Sequence, residues 1–314
     1  METVKCPICK EIMKIDEQLL CSIKVSSSGK YPPATKYEDC IRKCFDCKVG
    51  ASNGKNKYSF IYECYKNNIP EEFHVNLGNT LDNCLNIKHR EDKKRKIGFS
   101  TSEDAVSWIF IRYFIQENKL ELLKEVLSLD SKILEIFMWG VPQLGYFNNN
   151  NLKRICEGLE EDKGCFSEPD IIIECEKEVV FIEVKVESEN KHEKDLSKYD
   201  KYLDDRFYKN KEGAKNSRCY ELIRNWTISH RYCCLSDKTY KTAKLINLAP
   251  NSTFMNNNEK NASKLFIESL NRPGIFIQLS WEDVIDKLDR IKDENLIKEL
   301  EKRIPLDQKL FNQK

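Results

Sequence analysis

Two short apolar runs, Ile171-Ile172-Ile173 and Val179-Val180-Phe181-Ile182, stand on either side of the polar stretch 174–178. β-Branched and aromatic residues bounded by polar turns predict a two-stranded hairpin, which commits the middle of the chain to a sheet. Charged side chains interrupt the pattern at chosen places. Asp170 stands at the mouth of the first strand, and Glu183 and Lys185 lie within the second. Side chains alternate across a strand, so Glu183 and Lys185 share one face while Ile182 and Val184 take the other. Hairpin pairing brings Asp170 to that same edge. Two carboxylates and an ammonium then converge at the end of an otherwise apolar sheet. Buried charges are costly unless they pair or hold a metal, so the convergence marks a candidate site.

In chain order the residues read Pro169-Asp170, twelve intervening positions, then Glu183-Val184-Lys185. This resembles the PD-(D/E)XK nuclease superfamily, the restriction-endonuclease-like fold. The resemblance implies that Asp170 and Glu183 ligate a divalent cation, Mg2+ or Mn2+, with the carbonyl of Val184 as a further ligand. Lys185 would orient or activate the attacking water. Magnesium prefers oxygen ligands and keeps several waters, so two carboxylates and a phosphate oxygen suit it. The plain alternative is an amphipathic hairpin with one solvated charged face.

Cysteine spacing defines a second candidate. The pairs Cys6-Pro-Ile-Cys9 and Cys44-Phe-Asp-Cys47 are separated by 34 residues. Each Cys-x2-Cys pair can close half of a tetrahedral thiolate site, which predicts a structural Zn2+ held by Cys6, Cys9, Cys44 and Cys47. Cys21 and Cys40 lie nearby and leave another ligand set open. Residues 1–66 resemble a zinc ribbon or treble-clef finger. Histidines, which a treble-clef nuclease site needs beside its second knuckle, are absent there, so the zinc reads as structural. Arg42, Lys43, Lys48, Lys55 and Lys57, interleaved with Phe45, Asn53, Tyr58 and Phe60, could grip phosphates and bases or could form a solvated surface.

The chain has 14 cysteines, and its start, METVKCPICK, lacks the apolar core of a secretory signal. No apolar run is long enough for a membrane span. A cytoplasmic protein with reduced thiols and no membrane partner is the expectation. Charged residues make up 33% and hydrophobic residues 40%, enough for a real core. A net charge of +1 means that any nucleic-acid surface must be a local patch.

Residues 67–100 end in the run KHREDKKRK, which suits a charged linker or an exposed helix end. A helix follows over 102–117, with Ala105, Val106, Ile109, Phe110, Tyr113 and Phe114 on one face. Members of the resembled family often draw a further acid from this helix, which puts Glu103 beside Asp170 and Glu183 as a metal-site acid. Its rival role is in a capping box, Ser100-Thr101-Ser102-Glu103. The stretch 120–151 reads as helical and then turns at 139–142, with the asparagines 148–151 in an exposed loop. A charged helix is expected over 189–208, with Leu196, Tyr199, Leu203 and Phe207 as its apolar stripe. The family's paired glutamine and tyrosine on that helix are replaced by Asp195 and Tyr199. Strands are expected over 241–250 and 273–280, and helices over 256–270 and 281–304.

The resemblance therefore implies an α/β/α core over 101–314, a mixed central sheet flanked by helices, behind a small zinc module. The expected function is a metal-dependent endonuclease acting on DNA, double-stranded DNA favoured, and by analogy a restriction or defence enzyme. Cutting both strands would suggest a homodimer. Two rivals stand beside this reading: a protein of the same fold that binds nucleic acid without cutting, and a zinc-structured protein-interaction module.

Overall fold

The computed structural model describes residues 3–27, 30–54, 59–145, 150–191, 195–235, 242–272 and 275–306. The chain divides into two compact units, residues 1–78 with 91–105 and residues 79–90 with 106–314.

In the first unit, β1 (Lys14–Ile15), β2 (Arg42–Cys44), β3 (Val49–Ala51) and β4 (Phe60–Tyr62) form one antiparallel sheet in that order. Helix α1 (Glu17–Ser22) starts at Asp16, whose side chain accepts the Leu19 amide and also pairs with buried Lys43 at 2.8 Å. Val4, Cys6, Met13, Cys44, Val49 and Ala51 make its small core. Gly50 is required by packing, since a Cβ there would collide with the Cys40 side chain.

Residues 67–100 are folded rather than an open linker. They carry α2 (Leu77–Asn83) and α3 (Arg90–Ile97), and they bury Ile69, Phe73, Leu77, Leu81 and Ile97. The charged run forms most of α3, laced by i,i+3 pairs Lys94–Glu91 and Arg95–Asp92. Helix α4 (Glu103–Gln116) then spans the division between the units.

The second unit is built on a six-stranded mixed sheet. Its members are β5 (Ile133–Met138), β6 (Val141–Pro142), β7 (Ile171–Cys175), β8 (Glu178–Val184), β9 (Thr242–Ala249) and β10 (Phe276–Ser280), in spatial order β10-β9-β8-β7-β5-β6. The predicted hairpin is β7 and β8, paired antiparallel, and β8, β9 and β10 run parallel. Every residue of β7 and β8 is buried, so the sheet is covered on both faces. On one face Ile172, Phe181 and Leu245 pack with Leu152 and Ile155 of α6 (Asn150–Gly158) and with Leu222, Ile223 and Trp226 of α8 (Tyr220–Leu235).

Several expectations are corrected. The stretch 120–151 is not one helical region: α5 (Leu120–Val126) ends at Ser128, whose φ is +53°, and Ile133–Met138 extends into β5. A six-residue run, apolar except for Glu135, is short for a helix, and β7 offers it a ladder. Asn150 and Asn151 open α6 rather than sitting in a loop, whereas 146–149 lie outside the described residues. The expected charged helix over 189–208 is a 3-10 turn, Leu196–Tyr202, although Tyr199, Leu203 and Phe207 do enter the core. The α-helices before β9 are α7 (Lys211–Ser217) and α8. After β9 come α9 (Asn251–Met255) and α10 (Asn257–Ser269). The expected long terminal helix is two, α11 (Trp281–Arg290) and α12 (Glu294–Glu301), broken at Lys292 with φ +58°. Ser280 and Asp283 form the capping box of α11.

Candidate metal centres

Each unit carries a cluster of polar side chains, and the first gathers metal-ligand atoms. In the first, Cys6, Cys9, Cys44 and Cys47 bring their sulfurs within 4.8 Å of one another, the one group of three or more cysteine, histidine or carboxylate ligands so gathered among the described residues. Cys6 and Cys44 are buried, Cys47 is half-buried and Cys9 is exposed. Both knuckles end in a lysine with left-handed backbone, Lys10 at φ +67° and Lys48 at φ +56°. In the first knuckle the Lys10 amide donates to the Cys6 carbonyl at 3.1 Å. The Cys9 and Cys44 sulfurs are 3.7 Å apart. A tetrahedron with Zn–S bonds near 2.3 Å has edges of about 3.8 Å, which the Cys9–Cys44 separation already matches. In the metal-free cluster, backbone hydrogen bonding by Glu11 holds the Cys9 thiol below its usual pKa, whereas burial raises Cys6 and hydrogen bonding with Cys9 raises Cys47.

Cys21 and Cys40 are not in the cluster. Cys21 is exposed, and Cys40 is buried against Gly50, its thiol pushed up to about 12 by desolvation. Two members of the expected nucleic-acid patch are structural instead. Lys43 is spent on Asp16, and the buried Asn53 side chain accepts the Ile41 amide and donates to the Pro32 and Asp39 carbonyls. Phe45 is exposed, and Lys55, Lys57 and Tyr58 fall outside the described residues.

In the second unit, sheet register assembles the other centre. Ile171 pairs with Ile182, so the next position out sets Asp170 opposite Glu183. Lys185 follows two residues on, on the same face. Asp170 is half-buried, and its Oδ2 accepts the Val184 amide at 2.8 Å. Glu183 and Lys185 are buried and joined by a 2.8 Å ion pair. Helix α8 supplies the rest. Glu221 accepts from Lys185 Nζ at 2.6 Å, and Asn225 Nδ2 donates to Glu183 Oε2 at 2.7 Å. Arg224 donates from Nε to the Asn225 side-chain oxygen at 3.3 Å. The sheet also fixes Lys185 through its backbone: its amide donates to the Leu248 carbonyl, and its carbonyl accepts the Trp281 indole at 3.0 Å.

Desolvation dominates the electrostatics of Glu183. It raises the carboxyl from 4.5 to about 7, against the opposing pull of the Lys185 ammonium.

Glu103 lies in the first unit, while Asp170, Glu183 and Lys185 lie in the second. It is the first residue of α4, and the cap is Ser102, whose Oγ accepts the Ala105 amide at 3.2 Å. The predicted capping box from Ser100 is not the one formed, because Ser100 Oγ accepts the Phe60 amide instead.

Four residues at this centre escaped the sequence reading: Glu221, Arg224 and Asn225 on α8, and Asn247 on β9, which pairs with Glu183 in the parallel ladder. Each left a trace. Glu221, Arg224 and Asn225 stand at i, i+3 and i+4, one helical face, and Asn247 is a lone polar residue inside Leu245-Ile246-Asn247-Leu248-Ala249. Asp195 and Tyr199, weighed as the family's helix pair, lie elsewhere: Asp195 caps the 3-10 turn and Tyr199 donates to the Arg218 carbonyl at 3.3 Å. No helix among the described residues is long and apolar enough to cross a membrane. Comparison of the chain with family models, curated proteins and solved structures finds no match.

Proposed function

We propose that the chain is a metal-dependent endonuclease that hydrolyses phosphodiester bonds in DNA, with Asp170 and Glu183 as cation ligands and Lys185 beside them. One observation carries the reading: the β7–β8 register faces Asp170 with Glu183, with the Lys185 ammonium bonded to the latter. The order α4, β5, β7, β8, α8, β9, with β8 and β9 parallel, supports it too, since it agrees with the α/β/α core that the resemblance to PD-(D/E)XK nucleases implies. The donors are hard oxygens, the type that magnesium or manganese takes, and Asp170 is half-buried, so the row opens outward. A divalent cation there would lower the pKa of a bound water and offset charge growing on the phosphate.

The chain's own residues divide the remaining work. Lys185, held by two carboxylates, is placed as a donor that orients water or meets the leaving oxygen, rather than as a proton acceptor. Asn225 fixes the plane of the Glu183 carboxylate, and Glu221 restrains Lys185 from the helix side. The four-cysteine module with structural zinc is a candidate for holding DNA, and Phe45 is exposed on it.

A second reading, a protein that binds nucleic acid without cutting it, draws on one specific feature. Both oxygens of Glu183 already have partners, Lys185 and Asn225, so the carboxylate is satisfied by the chain's own side chains. A magnesium-dependent plasmid assay separates the two. Cleavage by wild type that disappears in Asp170→Ala supports the nuclease. Salt-dependent DNA binding with no cleavage in either protein supports the binder.

A further inference from the structure

The polar row does not stop at Glu183. The parallel ladder pairs Glu183 with Asn247 on β9, and Asn247 in turn with Gln278 on β10. Paired positions of neighbouring strands lie about 4.8 Å apart with side chains on the same face. Asn247 is fully buried, and neither its Oδ1 nor its Nδ2 has a hydrogen-bond partner among the described residues. Its neighbours on the strand, Ile246 and Leu248, are buried apolar residues.

An orphaned carboxamide in a sheet centre is unfavourable, because both polar atoms lose water and gain nothing in return. Leucine would fill nearly the same space without that penalty. A group of this kind calls for a partner that the chain's described residues do not supply. The candidate partner is set by position, since the adjacent residue in the row is the carboxylate already read as a cation ligand.

Resting on that nuclease reading, we infer that Asn247 is a third oxygen donor of the Asp170–Glu183 centre, its Oδ1 turned to a divalent cation or to a water on it. The carboxamide oxygen is a hard neutral ligand, suited to magnesium, manganese or calcium. It adds no negative charge to a buried site that already holds Glu183 and Glu221. Lys185 and Asn225 satisfy the Glu183 carboxylate, and Asn247 beside it has no partner among the described residues.

The test uses the full-length, zinc-loaded chain and follows Mn2+ binding by calorimetry beside the melting temperature of the manganese-free protein. Wild type is expected to bind one Mn2+ that Asp170→Ala does not. Replacing the amide in Asn247→Leu should weaken that affinity by about tenfold or more, the usual scale for groups that support a metal site. The manganese-free Tm should stay level or rise. Asn247→Asp, which keeps an oxygen donor, should hold the affinity within about threefold. If the leucine does not pack, Asn247→Ala carries the same expectation for affinity. Wild-type affinity in both Asn247→Leu and Asn247→Ala, or a loss in Asn247→Asp equal to that in Asn247→Leu, overturns the inference and leaves the nuclease reading standing. An absence of any Asp170-dependent Mn2+ site overturns both together.

Discussion

The thiol cluster of the first unit and the carboxylate row of the second differ in what holds them together before any ion arrives. Cys6, Cys9, Cys44 and Cys47 crowd their sulfurs within 4.8 Å, and neutral thiols so placed attract one another only weakly. Glu183 and Lys185 are instead closed by their own charges and by Glu221 and Asn225 from α8. The first arrangement makes sense as a fold completed by its metal. The second is a finished network that closes on its own charges and needs no ion to hold it together.

The largest effect that can break this contrast comes from zinc removal. Structural zinc in small modules is worth about 10–16 kcal/mol, which matches or exceeds the whole stability of a typical domain. Chelation, or Cys44→Ser, should therefore unfold the first unit, read as protease sensitivity within residues 1–78 together with loss of bound zinc measured by mass spectrometry. The sheet of the second unit should keep its protection. Equal resistance with and without chelator would erase the distinction.

A smaller effect sharpens the other side. Lys185→Ala leaves Glu183 buried without its cation and should cost about 3–5 kcal/mol in urea unfolding. Glu183→Gln combined with Lys185→Met removes both charges, and so should recover most of that loss. If Lys185→Ala proved neutral, the row would not be the self-satisfied network described.

The smallest effect is a pH slope. Burial raises Glu183 above its unfolded value of 4.5 to about 7, so folding favours its protonated form. Its stabilising contribution is full below pH 4.5 and is lost as pH rises through about 7. In the metal-free protein, wild-type stability should fall across that window relative to Glu183→Gln, which lacks the titration. Parallel stability–pH curves for the two proteins would contradict the assignment.

The parts legible in the sequence are those encoded locally. The Cys-x2-Cys knuckles declare their own turns, and the runs at Ile171 and Val179 declare β7 and β8, so Asp170, Glu183 and Lys185 could be named together. What stayed hidden depends on long-range pairing. Ile133–Met138 is a strand because β7 lies beside it, and Glu221 and Asn225 matter only once α8 docks over the sheet. Asn247 acquires meaning from the β8–β9 ladder, which joins it to Glu183 across a long stretch of intervening chain. The charged run at 88–96 suited either a linker or a helix end, and its i,i+3 pairs belong to the helical reading, α3. Local patterns also overran at Lys292, where a single left-handed residue splits an otherwise continuous amphipathic stretch.

Anomalous diffraction from manganese-soaked crystals of the zinc-loaded chain tests the central claim most directly. The account predicts a manganese peak within coordination distance of an oxygen from Asp170 and one from Glu183. A row that carries no manganese, with Glu183 still bonded to Lys185 and Asn225, would contradict it.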